Sequence, residues 1–396
     1  MIIAKNTPPQ KTKETSMLTL RHAAPLAAIC AAIFASSACA EDTIRIGLVQ
    51  PLTGSVAYNG NADVNGSKLA VEERNKAGGV LGKKVELVIE DGGCQPANSI
   101  NAAEKLIQKD KVVALSGAFC SSATAAIMPV AERYKIPLIT GVSSKADLTE
   151  KNNKYFFRAA ETDALLSRSF AKIIANDLKL QNVAYVGVND DWGRGGVEEF
   201  SRDLAAAGVK TAAKEYFDHG STDFYTLLTK LRAANPDGIF VAAETQDGSI
   251  LVKQIRELGL KTKIFGVGSW ATADFIGLAG PAAEGIYAAV PYASTMPTPR
   301  NEAFVKMYSA KYKEQPGKYG NAGYNAMNIL MDAIARAGST DAEKIRSALR
   351  ATDYDAPNGK YKFTDKGQAY GFSLALVQIQ NKTPKVVATA AIDEPK

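Results

Sequence analysis

The sequence predicts an α/β protein of two lobes, each a parallel sheet with helices on both faces. Three observations carry this expectation. The 396-residue chain is long enough for two domains of ordinary size. Short β-branched runs alternate with longer helical patterns, the βαβα order of a parallel sheet. That order then restarts partway along, which argues for two similar lobes over one large sheet.

In the first unit the strand-like runs are Thr43–Val49, Lys84–Glu90, Val112–Ser116 and Pro137–Thr140, with helical patterns at Asp63–Ala77, Ala97–Gln108 and Ser122–Tyr134. In the second, strands are expected at Val183–Val188, Val209–Tyr216, Gly238–Ala242 and Lys263–Val267. Helices are expected between them at Trp192–Ala207, Asp223–Ala234 and Ser249–Leu258. A mixed tail follows: strand-like Gly285–Pro291, helical segments at Arg300–Lys313, Tyr319–Ala337 and Asp341–Arg350, then strand-like Lys360–Phe363 and Phe372–Gln380. This tail is too small for a third domain and is expected to complete both lobes. The expected division is 41–162 plus 291–350 for the N-terminal lobe and 163–290 plus 351–396 for the C-terminal lobe.

Composition excludes several classes. Apolar residues make up 46% and charged residues 22%, as in ordinary globular proteins. The net charge is +6, of which residues 1–40 hold +3, and the remaining basic residues are interleaved with acidic ones. No basic stripe with spaced aromatics appears, so no nucleic-acid partner is expected. Residues 1–40 read as an export signal. Arg21 and His22 precede the apolar run Ala23–Phe34, and Ala38-Cys39-Ala40 fits an A-x-A cleavage site, with the natural start at Met17 as an option. Lipidation at Cys39 is the rival reading. Periplasmic export is therefore expected. After cleavage only Cys94 and Cys120 remain, most simply a disulfide in an oxidising compartment, with two free buried thiols as the alternative. Two cysteines and the single mature histidine, His219, make a poor metal site, and none is expected.

Enzymatic signals are weak. Gly266-Val267-Gly268-Ser269-Trp270-Ala271 matches G-x-G-x-x-A but follows the fourth strand of its unit, whereas a dinucleotide fingerprint occupies the first turn. His219 sits in a polar loop with no evident nucleophile beside it and reads as a solvated surface residue. No cofactor and no catalytic residue are expected. A binding role fits the polar loops better. Strand Val112–Ser116 leads into Gly117–Ser122 at a helix start, where free N–H groups and hydroxyls favour a carboxylate. The plainer alternative is that Ser121 or Ser122 only caps that helix. The next strand ends in a second hydroxyl loop, Gly141-Val142-Ser143-Ser144, on the same rim of the sheet.

The chain also resembles the branched-chain amino-acid-binding family of ABC-transporter periplasmic proteins. The resemblance runs from 43 to 390 through Pro51-Leu52-Thr53-Gly54, Asn75–Gly82, Cys94-Gln95-Pro96, Gly117…Cys120-Ser121-Ser122, Asp190-Asp191-Trp192-Gly193 and Gln254–Leu260. It implies a type I periplasmic binding fold: two Rossmann-like lobes joined by three crossovers, a ligand in the cleft, and closure about a hinge. It implies a monomer that delivers an amino acid or related small molecule to an inner-membrane ABC permease, without being an enzyme. The alternatives are an amide, urea-like or aromatic carboxylate ligand, or a sensor of the same fold. The resemblance pairs Cys94 with Cys120 and places Ser121, Val142 and Ser144, with neighbouring Ser143, at the ligand's carboxylate and amino groups. It puts Trp192 over the ligand from the second lobe, Glu244 where the family has a pocket tyrosine, and Tyr58 and Asn59 beside the ligand's side chain. Gly268 stands where members carry an acidic residue for the ligand's ammonium. Glu244 is the expected substitute for that charge; the rivals are that it binds a neutral group or faces solvent.

Overall fold

The structure, a computed structural model, describes residues 43–394; the expected export signal and its cleavage site lie outside the described residues. The first part of the chain runs β1 (Ile44–Gln50), α1 (Ala57–Lys76), β2 (Val85–Asp91), α2 (Pro96–Gln108), β3 (Ala114–Gly117), α3 (Ser121–Tyr134), β4 (Leu138–Thr140) and β5 (Phe156–Arg158). Its strands form a sheet in the order β2-β1-β3-β4-β5, parallel throughout. β1 is covered on both faces: Ile46, Leu48 and Val49 have no exposed surface, which is why it reads as a continuous apolar run.

The second part runs α4 (Asp163–Leu178), β6 (Asn182–Val188), α5 (Asp191–Ala206), β7 (Lys210–Phe217), α6 (Tyr225–Ala233), β8 (Gly238–Ala242), α7 (Thr245–Glu257), β9 (Lys263–Val267), α8 (Ala273–Ala279) and β10 (Tyr287–Val290). Its strands repeat the same parallel order, β7-β6-β8-β9-β10. In both sheets the order reverses beside the first strand, between β1 and β3 and between β6 and β8. The crevice outside the carboxyl ends at such a reversal is where open α/β sheets hold ligands.

The remainder comprises α9 (Pro299–Tyr312), α10 (Lys318–Ala337), α11 (Ala342–Arg350), β11 (Tyr354–Ala356), β12 (Gly359–Phe363), β13 (Ala369–Gln380) and β14 (Thr383–Ala391). It serves both lobes. β13 pairs antiparallel with β10 and extends the second sheet through β12 and β14, with β11 at the edge. α10 returns to the first lobe and lies tightly on α1. A Cβ at Gly66 would sit 2.0 Å from the Gly320 carbonyl oxygen, and one at Gly323 only 2.1 Å from that of Asp63. No side chain fits either place, so the helices touch backbone to backbone and the amino end of α10 is fixed beside α1. Cys94 and Cys120 form a disulfide with Cα atoms 5.5 Å apart. Closing that loop of 26 residues contributes about 3.5 kcal/mol in the chain-entropy description.

Five elements were not expected from the sequence, one of them the seven-residue α8. α4 has a clear amphipathic repeat (Leu166, Phe170, Ile174, all buried) and a Thr162 cap, but it falls where one unit passes into the next. β5 and β11 are only three residues long. β14 alternates half-buried and exposed residues, and its pairing with β13 defines it more than its composition does. Among the described residues no helix is long and apolar enough to cross a membrane.

Candidate functional site

Loops at the carboxyl ends of six strands meet around one tight cavity of about 20 Å³. From the first lobe come Val56 after β1, Phe119, Cys120 and Ser121 after β3, and Val142, Ser143 and Ser144 after β4. From the second come Asp190 and Trp192 after β6, His219 after β7 and Glu244 after β8. Lys318 and Tyr319, at the amino end of α10, complete the wall.

The hydroxyl loops are built differently from simple helix caps. No side chain caps α3; Ser121 Oγ instead accepts the Lys145 N–H at 3.3 Å, so its own proton is free for the cavity. The capping alternative for Ser121 and Ser122 is thereby overturned. The amino end of α3 also opens on the cavity through Ser121, adding the positive end of a helix dipole. Ser143 knits the two loops together, donating to the Phe119 carbonyl at 2.7 Å and lying 2.6 Å from Thr124 Oγ1. Ser144 donates to Asp163 Oδ1 at 2.9 Å. Burial pushes the Asp163 carboxyl up to about 7 against the opposing pull of Ser144 and Lys318.

Glu244 closes the second lobe's side. It is 8% exposed, so the solvent-facing alternative does not hold. Its Oε2 accepts hydrogen bonds from Asn59 Nδ2 at 3.0 Å and from the Tyr319 hydroxyl at 2.5 Å, both from the first lobe. Thr245 Oγ1 donates to Asn59 Oδ1 at 3.0 Å, so Asn59 bridges the lobes twice. Oε1 has no hydrogen-bond partner among the described residues and remains uncommitted on the cavity wall. Burial raises the Glu244 pKa, opposed by nearby Lys318, the Tyr319 hydrogen bond and His219.

Three expectations need correction. His219 is not a solvated surface residue: it lines the cavity, and its Nε2 lies 3.0 Å from Asp190 Oδ2, with Asp247 Oδ2 3.9 Å from Nδ1. Burial lowers its pKa, but the hydrogen bond with Asp190 and the nearby Asp247 carboxylate outweigh that and lift it to about 10, so the ring is cationic at neutral pH. A raised folded-state pKa stabilises fully below the unfolded value near 6.5 and is lost as pH climbs through about 10. The melting temperature of the protein is therefore expected to fall between those limits, and less steeply for His219→Gln; parallel pH profiles would remove His219 from this role.

Tyr58 does not line this cavity. It is 43% exposed and borders a neighbouring recess with Asp274 and Glu314; adjacent Asn59 borders the same recess and meets the cavity wall only through its hydrogen bond to Glu244. Gly268 does not line the cavity either. Its φ is +120°, and a Cβ there would lie 2.6 Å from the Ala243 carbonyl oxygen and 3.5 Å from Trp192 Cη2, so this backbone can carry no acidic side chain. The glycines around it make room for Trp270, which is fully buried and donates to the Ala243 carbonyl at 2.8 Å. A Cβ at Gly266 would lie 3.0 Å from Trp270 Cζ3. The glycine-rich motif accommodates an indole.

Lys318, Tyr319 and Asp190 were not singled out as site residues from the sequence. Asp190 had a signal, as the cap of α5 accepting the Gly193 N–H at 2.8 Å. Lys318 and Tyr319 had none, since only the seating of α10 on α1 brings them to the cleft.

This architecture agrees with known proteins. The model of a family described as periplasmic binding protein matches residues 43–384. A leucine-, isoleucine-, valine-, threonine- and alanine-binding protein of Pseudomonas aeruginosa is 31% identical over 360 residues, covering 91% of this chain and 96% of that protein. A branched-chain amino-acid transporter substrate-binding protein of Streptococcus pneumoniae, solved with isoleucine, superposes with a TM-score of 0.81 at 27% identity over 89% of this chain and all of that one. A solute-binding protein of an ABC transporter from Rhodopseudomonas palustris, solved with 3,4-dihydroxybenzoic acid, gives 0.82 at 25% identity over 90% and 99%. With its two lobes, its cleft cavity and its match across nearly the whole described chain, the protein belongs to the periplasmic binding protein family.

Proposed function

We propose that this chain captures an amino acid, or a close relative of one, in the periplasm and presents it to an ABC permease, without chemical conversion. The lobes, divided near 162/163, 290/291 and 350/351, close about the crossovers at those points. The ligand's carboxylate rests against Ser121, the Val142–Ser144 loop and the amino end of α3. Trp192 covers it from the second lobe, and its ammonium meets Oε1 of Glu244, which replaces the acid that Gly268 cannot supply. The observation that carries this reading is the pairing, in one small cavity, of a hydroxyl and helix-end anion site with the carboxylate of Glu244, whose Oε2 alone is hydrogen-bonded among the described residues. A carboxylate on the wall of such a cavity favours a cationic ligand group against it.

A second reading, an aromatic acid without an amine, is favoured only by the similarity to the dihydroxybenzoate-bound protein. Thermal unfolding of protein refolded from denaturant, to strip co-purified ligand, separates the two. A ligand at 100 times its dissociation constant adds about 2.7 kcal/mol. An amino acid is expected to raise the melting temperature and its deaminated analogue not to. Shifts from the deaminated acids alone would refute the ammonium assignment and favour the aromatic-acid reading.

A further inference from the structure

Lys318 is placed against every local preference. It is the first residue of a twenty-residue helix, where the dipole disfavours a cation, no side chain caps the helix and no acidic residue lies in the first turn. It is also 5% exposed. Its Nζ forms a buried ion pair with Glu161, 3.1 Å from Oε1. An ammonium has three donors, and Glu161 is the one carboxylate paired with Nζ among the described residues, so donor capacity remains on the wall of the ligand cavity. Burial lowers its pKa, but Glu161 and Glu244 together hold it above the ordinary lysine value, so it stays charged. A residue that breaks helix preference and burial preference together on a cavity wall marks a functional position.

We propose that Lys318 is a specificity-determining residue and that the ligand is an amino acid whose side chain ends in an oxygen acceptor, not in a branched hydrocarbon. The inference rests on the amino-acid reading of the same cavity. With the α-carboxylate at Ser121, the ammonium at Glu244 and the His219 ring held by Asp190, Lys318 is the charged donor left for whatever the ligand carries beyond its Cα. An aliphatic side chain there would shut water away from the ammonium and offer its remaining donors no acceptor. A carboxamide, carboxylate or urea-type carbonyl would accept from it. Sites built to hydrogen-bond a substrate group discriminate strongly against analogues lacking it.

The test is calorimetric titration of refolded, ligand-free protein with glutamine, asparagine, citrulline and glutamate against leucine, isoleucine, valine and alanine. At least one oxygen-bearing amino acid is expected to bind about 10-fold or more tightly than leucine. Preference for glutamine or for glutamate tells whether the acceptor is neutral or charged. In the pair variant Lys318→Met with Glu161→Gln, that preference over leucine is expected to vanish. Tighter binding of leucine, isoleucine or valine overturns the proposal and leaves the amino-acid reading intact, as does a preference that survives in the variant. Failure of every amino acid to bind overturns the amino-acid reading as well. The ranking on the unaltered chain decides the matter even where the variant does not fold.

Discussion

Glu244→Gln is expected to abolish tight amino-acid binding while leaving the protein folded. The substitution keeps an oxygen for the Asn59 and Tyr319 hydrogen bonds, so the contacts between lobes have the same shape. What it removes is the negative charge opposite the ligand's ammonium. Truncating one partner of a buried charge pair costs about 2–5 kcal/mol, roughly 30- to 5,000-fold in dissociation constant. The ligand-free protein should be as stable as before or slightly more so, because burial already holds the Glu244 carboxyl above its ordinary pKa. Calorimetry with the best-binding amino acid, beside thermal unfolding without it, measures both effects. Unchanged affinity would mean that the ammonium sits elsewhere.

The largest stability effect is expected at Arg158, which has no exposed surface at the end of β5. Its guanidinium donates to Gln368 Oε1 at 2.6 Å, to the Lys145 carbonyl at 2.5 Å, to the Ala146 carbonyl at 3.2 Å and to Thr149 Oγ1 at 2.9 Å. Burial lowers its pKa to about 10, still high enough to keep it protonated at neutral pH. Gln368 in turn donates to the Ala160 carbonyl, so the network ties the loop after β4 to the strand β13 region beside the first crossover. Arg158→Met strands several buried acceptors at once. A loss of about 3–5 kcal/mol is expected, read as a lower urea midpoint at unchanged slope. Because the same network anchors the 143–146 loop, ligand affinity should fall with it. A loss below about 1 kcal/mol would show that water replaces the guanidinium.

How much was legible in the sequence follows from what each element depends on. β1, β8 and β9 are buried on both faces, so their apolar runs announce them, and the helices between them carry their own periodicity. The hydroxyl loops could be located because ligands in such sheets gather at the carboxyl ends of the strands. His219 could not be read that way. Its loop is polar, and only the fold brings Asp190 and Asp247 around it. Lys318 and Tyr319 lie far along the chain from the other site residues of the first lobe and reach them through the glycine contact of α10 with α1. Gly268 shows the converse. The missing acid was visible in the sequence, but the reason, a positive φ beneath Trp192, belongs to the backbone.

The central claim is that ligand capture closes the cleft on Glu244 and the hydroxyl loops. Small-angle X-ray scattering of refolded protein, with and without its best-binding amino acid, addresses it most directly. The account predicts a smaller radius of gyration with ligand, and a ligand-free profile that includes open molecules in which Asn59 and Tyr319 have released Glu244. Superimposable profiles at saturating ligand would contradict it.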